Sequence, residues 1–352
     1  MLLGRRVGEG AAAIREGDLY KDAPGRWIIR PYRPGDERAI LDLFRRVFGV
    51  DRSLEHWRWK FLENPAGLYV RVAETPSGEL IGHYGALPVL MKWGDRNLIL
   101  TQIIDVMVDS RFRRGLKRPG LFALLSESSI ASIGTPGRAS GGYGFPTPDH
   151  LRIGRRASGY VSLHPVQTLV KDLNSPNASR GKRTWLVTVE EVARFGVEMD
   201  LLWQRCQRAL SVAIVRDARY MNWRYVDCPD VTYTKVVARG RFGKGVAGVA
   251  VLRLGVADRR IACLVDWLVP AAATSVANAL VARCETMARG AGMTELHAWF
   301  PPDAAPRRLL LEGGYRLEPT MYQFVALSTS PEVSVEWARE RWYYTMGDSD
   351  IY

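Results

Sequence analysis

Residues 102 to 125 read QIIDVMVDSRFRRGLKRPGLFALL, a β-branched run, a glycine-bearing loop with five basic residues and an apolar segment that opens at a proline. Ile103, Ile104, Val106 and Val108 favour a strand, because β-branched side chains fit a pleated, buried surface. Pro119 suits a first helical position, where a missing N–H costs nothing, and Leu121, Leu124 and Leu125 then recur at helical spacing. A loop that ends at a helix start presents unpaired amides and a partial positive charge, to which Arg111, Arg113, Arg114, Lys117 and Arg118 add full charges. The segment is expected to hold an anion, phosphate above all.

The elements around this loop belong to a chain of 352 residues, a length that predicts about two domains. Hydrophobic residues make up 47%, enough for packed cores, and the net charge of +12 implies anionic partners without choosing among cofactor, acidic substrate and nucleic acid. No leader pattern starts the chain, and Asp266, Pro270 and Asn278 interrupt its longest apolar stretch, so a cytoplasmic protein without a membrane span is expected. Cys206, Cys228, Cys263 and Cys284 show no metal-binding spacing and are expected to be reduced and mostly buried, with no metal bound.

The sequence repeats itself. WKFLENP at 59–65 matches WRYVDCP at 223–229, Gly82 corresponds to Gly248, and IIDVMVD at 103–109 answers LVDWLVP at 264–270. Ordered matches at a period near 160 residues indicate a duplicated domain rather than a solenoid. The expected organisation is an N-terminal extension over 1–26, a first domain over 27–173, a linker over 174–184, a second domain over 185–328 and a docking tail over 329–352. In the first domain Asp36 is expected to cap a helix carrying Ile40, Leu43, Phe44 and Val47, and a second helix carries Trp57 to Phe61. Strands near 69–74, 80–91 and 98–108 follow, then the helix from 119 and a strand around Tyr143. Thr188 to Glu191 reads as a capping box opening the second domain. Trp57, Trp59 and Trp223 recur at matched positions, which favours core packing over ligand stacking. Trp337, Trp342, Tyr343 and Tyr344 are too many aromatics for a solvated tail, which is expected to dock in the groove between the domains.

A short strand with RPYRPGD, two helices, three strands and then DVMVDSRFRRG before a helix resembles the GNAT superfamily of acyl-CoA-dependent N-acyltransferases. The resemblance covers about 27–171, and more faintly 185–327. It implies an α/β fold of two tandem GNAT-like domains, each a mixed, mostly antiparallel sheet flanked by helices. It also implies that Arg113, Arg114, Gly115, Lys117, Arg118, Gly120 and Leu121 bind the pyrophosphate of acetyl-CoA or another acyl-CoA. The backbone of Met107 and Val108 would lie beside the pantetheine arm, in a splay between the fourth and fifth strands. Gly115 and Gly120 stand further apart than the family signature has its glycines, with LKRP between them. The second domain has PAAATSVAN in place of the loop, without glycine or charge, so the resemblance implies one active domain, the first.

Acyl transfer to an amine sets a further requirement. An amine of pKa about 10.4 must lose a proton before attacking a thioester, costing about 4.6 kcal/mol at pH 7. Asp105, on the strand entering the loop, is the candidate base, although Asp266 holds the matching position in the domain without the loop. His83 and Tyr84 on the preceding strand are alternatives and candidate substrate contacts. Tyr143 and His150 are candidates to protonate the leaving thiolate. The expected acceptor is a small amine or amino sugar attacked directly in a ternary complex. Two alternatives are a tRNA-dependent aminoacyl transferase of the peptidoglycan-bridge type, for which the RRG loop is superfluous, and a non-catalytic acyl-CoA-binding module.

Overall fold

Most of the apolar runs form the elements their periodicity predicts, over the residues that the computed structural model describes: 19–22, 25–113, 120–175, 187–240, 245–256 and 259–352. The first repeat comprises β1 (Leu19–Asp22), β2 (Gly25–Pro31), α1 (Glu37–Phe48), α2 (Leu54–Phe61), β3 (Val70–Glu74), β4 (Leu80–Trp93), β5 (Arg96–Val108), α3 (Leu121–Ile133), β6 (Gly141–Gly144), α4 (Pro148–Ala157) and β7 (Val161–Asp172). The second comprises β8 (Val187–Glu191), α5 (Glu198–Cys206), β9 (Val212–Ile214), α6 (Ala218–Tyr225), β10 (Thr234–Gly240), β11 (Val246–Val256), β12 (Arg259–Leu268), α7 (Thr274–Gly290), β13 (Glu295–Ala298), α8 (Ala305–Glu312) and β14 (Arg316–Ser328). Within the expected N-terminal extension, β1 forms a hairpin with β2. Most of the expected linker lies outside the described residues.

Two local expectations are corrected. Thr188 and Glu191 sit in β8, where Val187 and Val189 alternate against β10; pairing to the sheet outweighs the local capping signal. Asp36 does occupy the N-cap of α1 but makes no side-chain bond to the helix. Its carboxylate instead accepts from both ends of the Arg30 guanidinium at 2.7 and 2.9 Å, a stronger charge-assisted pair.

The strands form one mixed sheet in the order β1-β2-β3-β4-β5-β6-β14-β7-β13-β12-β11-β10-β8, with β9 on β4. Neighbours are antiparallel except at β5–β6 and β12–β13. Neither repeat closes on itself, because β14 lies between β6 and β7, and β7 lies between β14 and β13. Each repeat thus pairs its last strand into the other. Helices cover the faces. On one of them α3 packs so closely on the sheet that a Cβ at Gly82 would come 2.6 Å from Leu125, and at the matching Gly248 it would come 2.8 Å from Val276 of α7. The glycine match in the sequence is therefore a helix-to-sheet clearance in both halves.

The repeats meet at their matched tryptophans. Trp59 donates its indole N–H to the Trp223 carbonyl at 2.6 Å, and Trp223 donates to the Trp59 carbonyl at 2.9 Å. The rings stack with centroids 5.3 Å apart. Such pairs contribute about 0.5–1.5 kcal/mol beyond their burial. The four cysteines are buried and unbridged, and no helix among the described residues is long and apolar enough to cross a bilayer.

Residues 329–352 pack onto the rest of the fold. Trp342 bridges to Val212 of β9, the Tyr343 hydroxyl donates to the Trp267 carbonyl at 2.8 Å, and Met346 and Asp348 are buried. Past the pair Leu264 and Ala298 the strands β12 and β13 part, and the tail fills that gap: Tyr343 packs toward Phe300 and Tyr352 against Trp299. At Gly347 a Cβ would stand 2.0 Å from the Tyr225 hydroxyl and 2.9 Å from the Val265 carbonyl. Gly347→Ala is expected to destabilise the protein by about 1–3 kcal/mol through overpacking. Chemical denaturation measures it, and a midpoint equal to that of the parent would contradict this packing.

Candidate functional site

The first repeat has the same parting between β5 and β6. These strands pair in parallel only at Thr101 with Gly142 and Gln102 with Tyr143, so residues 103–108 hydrogen-bond as a strand to β4 alone. Within this stretch the β4–β5 register slips: His83 faces Met107 and Gly85 faces Ile104, leaving Asp105 and Val106 opposite Tyr84. Asp105 sits at the bulge with φ +47, and no other non-glycine residue among those described has a positive φ. A left-handed aspartate costs about 1–2 kcal/mol, and its surroundings hold it there. The Asp105 carbonyl is 2.7 Å from His83 Nδ1. A carbonyl only accepts, so Nδ1 carries the proton and Nε2 is left with a lone pair. That Nε2 is buried and has no hydrogen-bond partner. Burial, ahead of the opposing pull of the Asp105 carbonyl, holds His83 below the ordinary histidine range.

The Asp105 side chain is equally tied. Arg52, just before α2, donates to its Oδ2, and Lys60 of α2 lies 3.5 Å away. Lys60, 4% exposed, also reaches Asp350 of the tail at 3.2 Å. Burial opposes ionisation of Asp105, but the Lys60 and Arg52 charges outweigh it and hold the carboxyl well below the usual range. The same two cations, after burial, push His56 of α2 down to about 4. Asp105 is therefore a fixed anion, a poor proton acceptor at neutral pH.

At the end of β5 the chain enters the loop where the sequence places an anion-binding end. Asp109, buried, accepts from the Arg111 amide at 3.0 Å and pairs with the Arg111 guanidinium at 2.8 Å and Arg46 at 3.2 Å. Arg111 is thus committed to Asp109 and to Glu79. Arg113, exposed, donates its Nε to the Val108 carbonyl at 2.9 Å, which sets its guanidinium over the strand end. Gly120 is the N-cap of α3. Leu121 buries its side chain in the core beside Leu125, so only its amide remains for a ligand. Arg114, Gly115, Lys117 and Arg118 lie outside the described residues.

The other candidates scatter. Met107 is buried on the His83 face, whereas Val108 and Tyr84 belong to the cluster beneath α3. Tyr84 thus faces away from His83, and burial raises its hydroxyl. Tyr143 is buried with its hydroxyl donated to the Asp348 carbonyl at 3.2 Å, and burial pushes it well above its ordinary value. It supports the tail and does not suit a proton donor. His150 is exposed in the first turn of α4, within 3.4 Å of Thr147 Oγ1, and touches none of the other candidates. Sequence reasoning missed Arg52, Lys60 and Asp350. The signal for the two cations was the repeat itself, since Arg52 and Lys60 correspond to Arg216 and Arg224 at the offset that aligns the tryptophans.

The second repeat carries a comparable cluster. Arg216, fully buried, donates its Nε to Asp266 at 2.8 Å, and its NH2 group bonds both carboxylate oxygens of Asp348 at 2.8 Å. The Tyr225 hydroxyl donates to Asp266 at 2.7 Å; the matching Phe61 has none to offer Asp105. One arginine–aspartate pair thus recurs beside each bulge, and in the second half the tail has closed over it.

No protein-family model matches the chain, and no curated protein matches it. Solved structures do. A conserved protein from Enterococcus faecalis V583 superposes with a TM-score of 0.67 at 13% identity, over 86% of this chain and 72% of that one. A GCN5-related N-acetyltransferase from Anabaena variabilis gives 0.65 at 13% identity, over 87% and 73%. Saccharomyces cerevisiae N-myristoyltransferase with bound myristoyl-CoA gives 0.58 at 11% identity, over 88% and 84%. At these identities the likeness is one of fold, and the fold is that of the GNAT acyltransferases.

The Asp348 carboxyl titrates in the opposite direction from that of Asp105. Burial, with Asp266 adding and Arg216 opposing, pushes it from 3.8 up to about 6. Between those values the folded state binds the extra proton, so this group makes stability fall as pH rises from about 4 to 6. The stability difference between the parent and Asp348→Asn should therefore shift against the parent across that window and level off above it. A difference that stays flat from pH 4 to 7, followed by thermal denaturation, would remove Asp348 from this role.

Proposed function

We propose that this chain is an acyl-CoA-dependent N-acyltransferase whose site is the β5–β6 opening of the first repeat, residues 27–173, with the second repeat, residues 185–328, a degenerate copy. The observation that carries the reading is the paired comparison. In a GNAT fold the bulged end of β5 opens toward a helix N-terminus and Arg113, while the equivalent opening at β12 is filled by the protein's own tail. We take acetyl-CoA as the donor and a small amine as the acceptor.

The residues fit such a donor. The α3 amides, with Arg113 and the basic loop, suit a pyrophosphate, and the unpaired edge of β5 offers backbone groups to an extended amide-bearing arm. The acyl-CoA supplies an activated thioester. The amine nitrogen bonds to its carbonyl carbon as the carbon–sulfur bond breaks, and the thiolate takes the electron pair. Preorganised backbone amides at the bulge would stabilise the developing oxyanion. For the proton leaving the amine we assign His83 Nε2 in place of the Asp105 carboxylate. An effective base has a pKa near the working pH. Asp105 lies far below it, whereas a neutral imidazole with a free lone pair is available. Asp105 acts through its carbonyl, which fixes the His83 tautomer.

Calorimetry with acetyl-CoA is expected to show saturable binding of one equivalent per chain, because the second opening is closed. No heat up to millimolar concentration would end the reading, and binding without turnover on an amine panel would favour a non-catalytic module. His83→Ala should lower kcat by about 10²–10⁴ with little change in acetyl-CoA affinity. The parent's kcat should fall on acidification along a limb below pH 6.5, as the imidazole protonates. A profile flat from pH 5 to 7 would exclude His83 as the base.

A further inference from the structure

The two arginine–aspartate pairs are copies in different states, and the difference identifies a subsite. Arg216 carries two carboxylates: Asp266 from its own β12 and Asp348 from the tail, the latter through both oxygens at 2.8 Å. Arg52, its counterpart, carries one. Among the described residues its polar contact is Asp105, while the guanidinium carbon lies over the Phe44 ring, 3.9 Å from its centre. Its side chain keeps 16% exposure where that of Arg216 keeps none. The tail does reach the first half, but its Asp350 goes to Lys60, so among the described residues no second carboxylate meets Arg52.

Resting on the acyltransferase reading, we propose that this position takes the carboxylate of the acceptor, so that the substrate is an amine that also carries a carboxylate, an amino acid. The second half displays the geometry within the same molecule: one terminal nitrogen of the equivalent arginine meets both oxygens of Asp348 while its Nε serves Asp266. A guanidinium presents several donors in a rigid fork and accommodates two carboxylates at once. Charge balance agrees. Arg52 and Lys60 face Asp105 and Asp350, so the cluster is neutral and admits a ligand without net charge most readily; an amino acid zwitterion qualifies where a bare ammonium does not.

The test compares each standard amino acid with its amide, which keeps the amine and side chain and lacks only the carboxylate. With acetyl-CoA and a thiol-release assay, at least one free amino acid should exceed its amide by about tenfold or more in kcat/KM, the scale of one charge-assisted hydrogen bond. Arg52→Lys keeps a cation beside Asp105, so the fold is retained, but loses the fork. The preference should then collapse toward one while acetyl-CoA binding by calorimetry is unchanged. Amides that react as well as the acids, or a preference that survives in Arg52→Lys, would overturn the proposal while leaving the acyltransferase reading intact. If acetyl-CoA itself fails to bind, that reading falls. Calorimetry of acids against amides then probes Arg52 directly, and equal or absent binding overturns the subsite as well.

Discussion

Everything at the two sheet openings depends on one constraint: a carboxylate buried beside a β-bulge must have a cation next to it. An isolated buried charge is expensive to remove from water, and removing one member of a buried pair typically costs about 3–5 kcal/mol. Arg52 and Lys60 meet that requirement for Asp105, and Arg216 meets it for Asp266. The pairing locks a strained backbone at Asp105, and that backbone orients His83. In the proposed reaction this ion pair orients the base without itself taking part in the proton transfer.

Much of this was legible in the sequence, for reasons that can be assigned residue by residue. The strand before the basic loop, the helix after it and the second helix with its tryptophans follow from periodicity, which is local. The Gly82 and Gly248 match was visible as a coincidence, and its cause emerges only where Leu125 and Val276 press on the sheet. Thr188 and Glu191 misled because a capping box is a four-residue pattern and β8 is decided by its partner β10. Roles at the site were harder. Asp105 and Tyr143 are residue types able to move protons, and only their partners show that one is held as a fixed anion and the other supports the tail. No window of sequence contains both Lys60 and Asp350, so the contact between them had no local signal.

The two repeats place similar residues in different surroundings. Where Phe61 follows Lys60, Tyr225 follows Arg224, and that hydroxyl satisfies Asp266 without a second cation. The tail then supplies main chain and a carboxylate where the first half leaves an opening. An aromatic, acidic tail of this length needs such a place to bury its rings, and the unused opening of the second repeat provides it. The same tail reaches on to Lys60, so the closed copy also braces the open one.

The exchange of β7 and β14 has a consequence for how the chain must be made. Until β14 is synthesised, β6 has no partner beyond β5 and presents an unprotected edge, the kind of surface on which strands of other molecules add. The contacts that close it join residues 141–144 to 325–328, among the most distant pairings in the chain, and pairings of that separation form slowly. The first repeat therefore waits on the ribosome for the second, and its β6 edge stays uncovered while about half of the chain, from Gly144 to Val325, is added.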